Sequence, residues 1–188
     1  MIHELRIYEC VPGRLPDLNN RFSTITLKLW EKHGIKQVGY VPDAGHTRLI
    51  QRCVADPEIH DVVLTTEEEG IGLVAGATLG GQRSALLMQS SGVGNCVNMF
   101  SVIRCCQFPC LVFVTMRGKF GEFNPWQVPM GSITEEVFKL CGFLVYRLDS
   151  TDEFEDVVGA ATDMAFDGNL PVAILLGQRL IGRKKWVR

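Results

Sequence analysis

The longest apolar stretches of the chain, "PCLVFVTM" and "PVAILLG", carry no charge and fall far short of the roughly 20 residues that cross a membrane. A strand with one wet face alternates polar and apolar residues, whereas a strand buried on both faces reads as a continuous apolar run. These segments therefore predict central strands. The chain alternates around them: strand "IKQVGYV", helix "HTRLIQRCVAD", strand "HDVVLTT", helix "EEEGIGLVAGATLGG", strand "SALLMQS", then a glycine loop leading into a helix in "GVGNCVNMFSVIRCCQ". After strand "CLVFVTM" come the polar loop "RGKFGEFNPWQVPMG", helix "TEEVFKLCG", strand "FLVYRLD", helix "TDEFEDVVGAATDMAFDG" and strand "PVAILLG". Strands alternating with helices predict an α/β fold, a parallel sheet with helices on both faces. Ligands of such sheets sit beyond the carboxyl ends of the strands. Here those ends carry "VPDAGH", "TTEEEG", "QSSGVGN" and "MRGKFGEFNPWQVPMG", so the unusual sequence gathers on one edge.

Ahead of this alternation, "HELRIYECVPGRLPDLNNRF" reads as a strand, a turn at Pro12 and Gly13, and the start of a helix. In "STITLKLWEKHG", Ser23 or Thr24 can cap a helix that turns Ile25, Leu27, Leu29 and Trp30 inward and stops at Gly34. A length of 188 residues fits one ordinary domain with an appendage. The net charge of −2 excludes the broad basic footprint of a nucleic-acid binder, and "GRKKWVR" reads as a solvated tail. "MIHELRIYEC" places charges where a secretory signal needs an apolar run, so a cytoplasmic location is expected. The seven cysteines (Cys10, Cys53, Cys96, Cys105, Cys106, Cys110 and Cys141) are odd in number and lack C-x-x-C spacing. They are expected to be small buried thiols rather than metal ligands.

Two constellations carry chemistry. In "MQSSGVGN", Gly92 and Gly94 permit a tight turn, either facing a ligand or simply joining strand to helix. The third glycine of a dinucleotide fingerprint and the lysine of a P-loop are both missing. In "TTEEEG", acidic residues favour the helix dipole, but three are more than capping needs. At helical period Glu67 shares a face with Ile71 and Val74, whereas Glu68 lines up with Gly72 and Leu79. A carboxyl group among apolar neighbours favours its protonated form, which makes Glu67 a candidate for proton exchange. The glycines and alanines behind it (Gly70, Gly72, Ala75, Gly76, Ala77) predict a helix packed very closely against a neighbour such as another subunit.

"YVPDAGH", "TTEEEGIGLVAGATLGGQ", "LLMQSSGVGNCVN" and "QVPMG", in this order, resemble the pyrimidine-binding domain of thiamine diphosphate-dependent 2-oxo acid decarboxylases. The likeness is greatest to the sulfopyruvate and phosphonopyruvate decarboxylases, and it spans about Glu31 to Ile181. It implies that one glutamate opening the helix hydrogen-bonds the aminopyrimidine ring and promotes its imino tautomer, which deprotonates the thiazolium carbon. Glu67 matches that position, with Glu68 as the alternative. Ser91, Gly92, Gly94 and Asn95 would lie beside the cofactor, and Asp43, His46, Arg117 and Gln127 would face the substrate. Asp43 equally suits a helix cap, and Arg117 a solvated loop charge.

The family's GDG motif for diphosphate and Mg²⁺ is missing; "FDGNLP" lacks its first glycine. The resemblance thus implies a separate diphosphate-binding beta subunit, in a hetero-oligomer or beside a self-associated dimer. Residues 1–22 resemble the opening of a NIPSNAP-family domain, leaving 23–188 for the pyrimidine-binding domain. The expected function is decarboxylation of an anionic 2-oxo acid. A carboligase, or a non-catalytic interaction module of the same fold, is the alternative.

Overall fold

The computed structural model describes residues Asn20–Ile181; residues 1–19 of the NIPSNAP-like arm and the basic tail lie outside the described residues. A π-helical segment, Phe22–Thr26, runs into helix α1 (Leu27–Lys32). The other elements follow as β1 (Ile35–Tyr40), α2 (Thr47–Ala55), β2 (His60–Val63), α3 (Glu67–Leu79), β3 (Arg83–Gln89), α4 (Ser90–Cys96), α5 (Phe100–Cys106) and β4 (Cys110–Thr115). Then come a 3₁₀ turn (Pro125–Gln127), α6 (Val128–Leu140), β5 (Leu144–Leu148), a 3₁₀ turn (Thr151–Glu153), α7 (Phe154–Phe166), β6 (Pro171–Leu176) and α8 (Gln178–Ile181). Among the described residues all strand pairs are parallel, in the order β2-β1-β3-β4-β6-β5. The expected α/β architecture is therefore present.

The apolar runs are explained by two cores. Leu111, Phe113, Val172 and Ile174 face one layer with Trp30, Leu49, Phe154 and Val158 from α1, α2 and α7. Cys110, Val112, Val114 and Ala173 face the other, with Ile71, Val93, Phe100 and Phe138 from α3 to α6. Alternate strand residues thus enter opposite cores and both sets must be apolar. No helix among the described residues is long and apolar enough to cross a membrane.

Three local expectations need correction. The first helix is already formed before Ser23 and Thr24: Arg21 has helical dihedrals, and Thr24 Oγ1 donates back to the Asn20 carbonyl at 2.8 Å. Phe22, Thr26 and Trp30 are the fully buried positions of this segment, and Ile25, Leu27 and Leu29 pack at its flank. Gly34 does stop the helix, at φ +66°. Second, the strand leads straight into α4, so Gly92 and Gly94 are helical and not part of a loop. Third, α6 begins at Val128 rather than Thr134, because Pro129 is tolerated in a first turn. Gly131 is needed there, since a Cβ would lie 1.9 Å from the Arg117 carbonyl oxygen.

The chain turns back between β1 and β3, where successive connections leave on opposite faces. Such a switch point opens a crevice at the carboxyl edge. Asp43 follows β1, Glu67 follows β2, Ser90 follows β3 and Arg117 follows β4.

Candidate active site

The three glutamates of α3 divide into distinct roles. Thr66 precedes the helix in an extended conformation, and Glu69 Oε2 accepts the Thr65 backbone N–H at 2.7 Å, so Glu69 serves the helix start. Glu68 is exposed to solvent. Glu67 is only 9% exposed, and its Oε2 accepts a hydrogen bond from Asn95 Nδ2 at 2.8 Å. No other hydrogen bond to this carboxylate is made among the described residues, so a buried acceptor retains unused capacity.

Gly92 explains how α4 approaches so closely. A Cβ there would sit 2.3 Å from the Glu67 carboxyl carbon and from Oε1. Behind Glu67, Gly70 lets α3 lie on the sheet: a Cβ would come within 2.8 Å of Leu86 and 3.0 Å of Leu64. Gly72 and Gly76 differ, with nothing within 4 Å of their Cβ positions. The small-residue helix therefore packs tightly on one side and is bare on the other.

Asp43 is the polar hub of the switch point. Its Oδ2 accepts from Thr115 Oγ1 at 2.6 Å and from Gly45 N at 3.1 Å, while Oδ1 accepts from Gln89 Nε2 at 2.8 Å. One carboxylate thereby joins the exits of β1, β3 and β4. Burial alone would raise this carboxyl's pKa. The His46 imidazole and the three hydrogen bonds outweigh it and hold Asp43 below the ordinary carboxylate value.

Asp43 also serves the helix, since its backbone carbonyl accepts from His46 N at 3.1 Å at the start of α2. His46 is fully enclosed, with Nε2 3.3 Å from the Met88 carbonyl and its ring centroid 6.3 Å from that of Phe22. Burial pushes its pKa down, against opposing effects from Asp43 and the Met88 and Phe113 backbone. It therefore lies beneath Asp43 and has no solvent-facing surface. Gln89 and Thr115 are contributors that sequence reasoning missed. Their only signal was a polar residue ending an otherwise apolar strand.

The start of α4 is bound into the same edge. Ser91 Oγ donates to Gln89 Oε1 at 2.9 Å, and the fully buried Ser90 accepts the Arg117 backbone N–H at 3.0 Å. Gly94 faces Met130 of α6, with a Cβ position 3.2 Å from the sulfur. Gln127, in the 3₁₀ turn, has a buried Oε1 without a hydrogen-bond partner.

Arg117 is neither solvated nor free to meet an anion. Its Nε and Nη2 donate to Glu122 at 2.7 and 2.5 Å in a bidentate pair, with side chains 12% and 4% exposed. Glu122 also accepts the Gly118 and Asn124 N–H groups and Gln178 Nε2. Burial works against this carboxylate, but the hydrogen bonds from Arg117, Asn124 and Gly118 bring its pKa down from 4.5 to about 2. A depressed carboxyl pKa stabilises the fold above the ordinary value, and that stability is lost as pH falls toward 2. Glu122→Gln is therefore expected to lose about 3–5 kcal/mol at pH 7, because it strands a buried guanidinium. The gap to wild type should close between about pH 4 and pH 2, as urea unfolding at pH 7, 4 and 3 will show. An equal gap at all three pH values would contradict this account.

The chain is thus an α/β domain that gathers a buried carboxylate with spare acceptor capacity, and the Asp43 hub, at the carboxyl edge of its parallel sheet. No family model matches the chain. Its curated relatives are more informative. It is 36% identical over 149 residues to the sulfopyruvate decarboxylase subunit alpha of Methanothermobacter thermautotrophicus, covering 76% of this chain and 90% of the relative. It is 34% identical over 144 residues to the same subunit of Methanococcus maripaludis, covering 76% and 86%. The phosphonopyruvate decarboxylase of Streptomyces viridochromogenes is 33% identical over 151 residues, which are 79% of this chain and 38% of that enzyme. Among solved structures, the 2-oxoglutarate:ferredoxin oxidoreductase of Magnetococcus marinus aligns with a TM-score of 0.64 over 86% of this chain. At 15% identity, and with 29% of that longer chain spanned, this is a likeness of fold. The chain belongs to the family of sulfopyruvate decarboxylase alpha subunits.

Proposed function

We propose that this chain is the pyrimidine-binding subunit of a thiamine diphosphate-dependent decarboxylase of an anionic 2-oxo acid. The observation that carries this reading is Glu67, a buried carboxylate with one hydrogen bond among the described residues, resting on a glycine at the sheet edge. A ring nitrogen of an aminopyrimidine accepts a proton from a carboxyl O–H and can return it, so the carboxyl oxygen left without a partner fits the group. When bound, the cofactor supplies an electron sink for the loss of carbon dioxide.

In this reading the chain's own residues hold the ring and move a proton. Glu67 would donate a proton from its carboxyl oxygen to a ring nitrogen and take it back, Asn95 fixes the carboxyl group's orientation, and Gly92 leaves room for it. Ser91 and Gly94 line the same helix turn. Asp43 and Gln127 face the substrate side, Gln127 through its unpartnered oxygen. His46 and Arg117 position their neighbours, Asp43 and the loop closed by Glu122, rather than contact substrate.

The site needs a second chain, which would hold the diphosphate and Mg²⁺. Two features support such a partner. The outer face of α3 is bare at Gly72 and Gly76 and ends in Leu79, which is 79% exposed. Near the site edge, Val97, Trp126, Val128 and Ile133 are also exposed. Mixing this chain with its beta subunit, thiamine diphosphate and Mg²⁺ should release carbon dioxide from sulfopyruvate or phosphonopyruvate, and either chain alone should release none. Absence of carbon dioxide from every 2-oxo acid supplied to the mixture would refute the proposal.

A further inference from the structure

On the other half of the same sheet edge lies a pocket of about 230 Å³, at the carboxyl ends of β4, β5 and β6. Its charged lining consists of Lys119, Arg147 and Arg179, with one carboxylate, Asp149. Three cations against one anion leave two positive charges, on a chain whose formal net charge is −2. We infer that this pocket binds a small multivalent oxyanion such as sulfate or phosphate.

The cations are only partly neutralised locally. Among the described residues, no carboxylate lies within ion-pair distance of Lys119 or Arg179. Arg147 Nη1 is 3.3 Å from Glu135 Oε2, but that carboxylate is shared with Lys139, whose Nζ is 2.7 Å from Oε1. Glu135, held close by Lys139 and also within the field of Lys119, therefore offsets Arg147 and Lys119 only in part. Asp149 is turned toward the β6 exit, where a Cβ on Gly177 would lie 1.9 Å from its Oδ1.

The walls are also fixed in place. Gln178 Oε1 accepts the backbone N–H groups of Lys119 and Phe120 at 2.8 and 2.7 Å, and its Nε2 donates to Glu122 at 2.9 Å. This latches the loop bearing Lys119 to α8. The Arg179 guanidinium then stacks 4.3 Å from the centroid of the Phe120 ring, which holds its charged head over the pocket. Met116 and Leu175 supply an apolar lining that strengthens the field of the surrounding cations. Size decides the ligand class. The space falls below the roughly 300 Å³ at which pockets begin to enclose drug-sized ligands, so a nucleotide is excluded and a hydrated oxyanion fits. Planar arginine forks match the tetrahedral oxygens of such ions.

Sodium sulfate and inorganic phosphate, titrated calorimetrically into the purified chain at constant ionic strength, should each bind saturably with one site. Arg179→Gln and Lys119→Gln should each weaken binding at least tenfold. Both side chains lie at the surface, and a thermal melt checks that each variant is folded. Arg147→Lys, which keeps the charge but loses the fork, should fall between wild type and these two. Lys28→Gln, at the opposite edge of the sheet, should bind as wild type does. Heats that never saturate would overturn the proposal, as would equal weakening by Lys28→Gln, which signals diffuse screening. The titration contains neither thiamine diphosphate nor a partner chain, so its failure and the failure of the decarboxylase reading are separate results.

Discussion

Glu67→Gln is expected to lower kcat of the reconstituted decarboxylase about 10²–10⁴-fold, the range assigned to a lost proton-transfer group. The substitution keeps the side chain's shape, and the amide oxygen can still accept from Asn95 Nδ2. What it loses is the exchangeable proton on the oxygen that no protein donor occupies. The fold should be unaffected, with thermal midpoints close to wild type. Glu68→Gln is the internal control: that side chain is exposed, and its loss should change turnover by less than about twofold, as for an ordinary surface substitution. Steady-state carbon dioxide release by both variants separates the two glutamates. Full activity in Glu67→Gln would end the assignment, and a loss confined to Glu68→Gln would transfer the role.

Gly92→Ala should give a comparably large effect through position rather than chemistry. The added methyl would lie 2.3 Å from the Glu67 carboxyl carbon, so one of the two must move. The obstructing atoms belong to the end of a flexible side chain, and the rotation of Glu67 away from α4 is the easy response. Stability should therefore fall by no more than about 1–3 kcal/mol, partly offset by alanine's better helix propensity. Turnover should fall about 10²-fold, because a displacement on the order of 1 Å disrupts a reacting geometry. The diagnostic is the split between a modest change in unfolding free energy and a large change in kcat. A variant that unfolds in proportion to its lost activity would show that Gly92 serves packing alone.

The order of elements was legible because both-face burial writes itself into sequence as apolar runs. "CLVFVTM" and "PVAILLG" could hardly be anything but central strands, and the polar residues after them marked the edge. Helix starts were less legible. Pro129 and Gly131 look like loop residues, yet one suits a helix's first turn and the other answers a close contact with the Arg117 backbone in the loop after β4. Gly92 was read as turn chemistry for the same reason, although its smallness answers to Glu67 on another helix. Periodicity did distinguish the buried Glu67 from the exposed Glu68, since it placed one beside Ile71 and the other beside Gly72. Arg117 shows the limit. Its partner Glu122 is five residues away around an irregular loop, and no spacing rule predicts a bidentate pair there.

The position of β6 has a consequence for how the protein is made. This strand comes last among the six yet lies between β4 and β5, and among the described residues β5 pairs with β6 alone. During synthesis Leu144–Leu148 therefore leaves the ribosome before its described partner strand, and β4 waits for its own neighbour on that side until Pro171–Leu176 follows. At about 5–20 residues per second, that interval lasts on the order of seconds. Gln178, which fastens the loop carrying Lys119, Phe120 and Glu122, emerges later still. A nascent chain stalled before Pro171 would thus carry Asp43 and Glu67 on an incomplete sheet with a bare edge, a natural client for a chaperone.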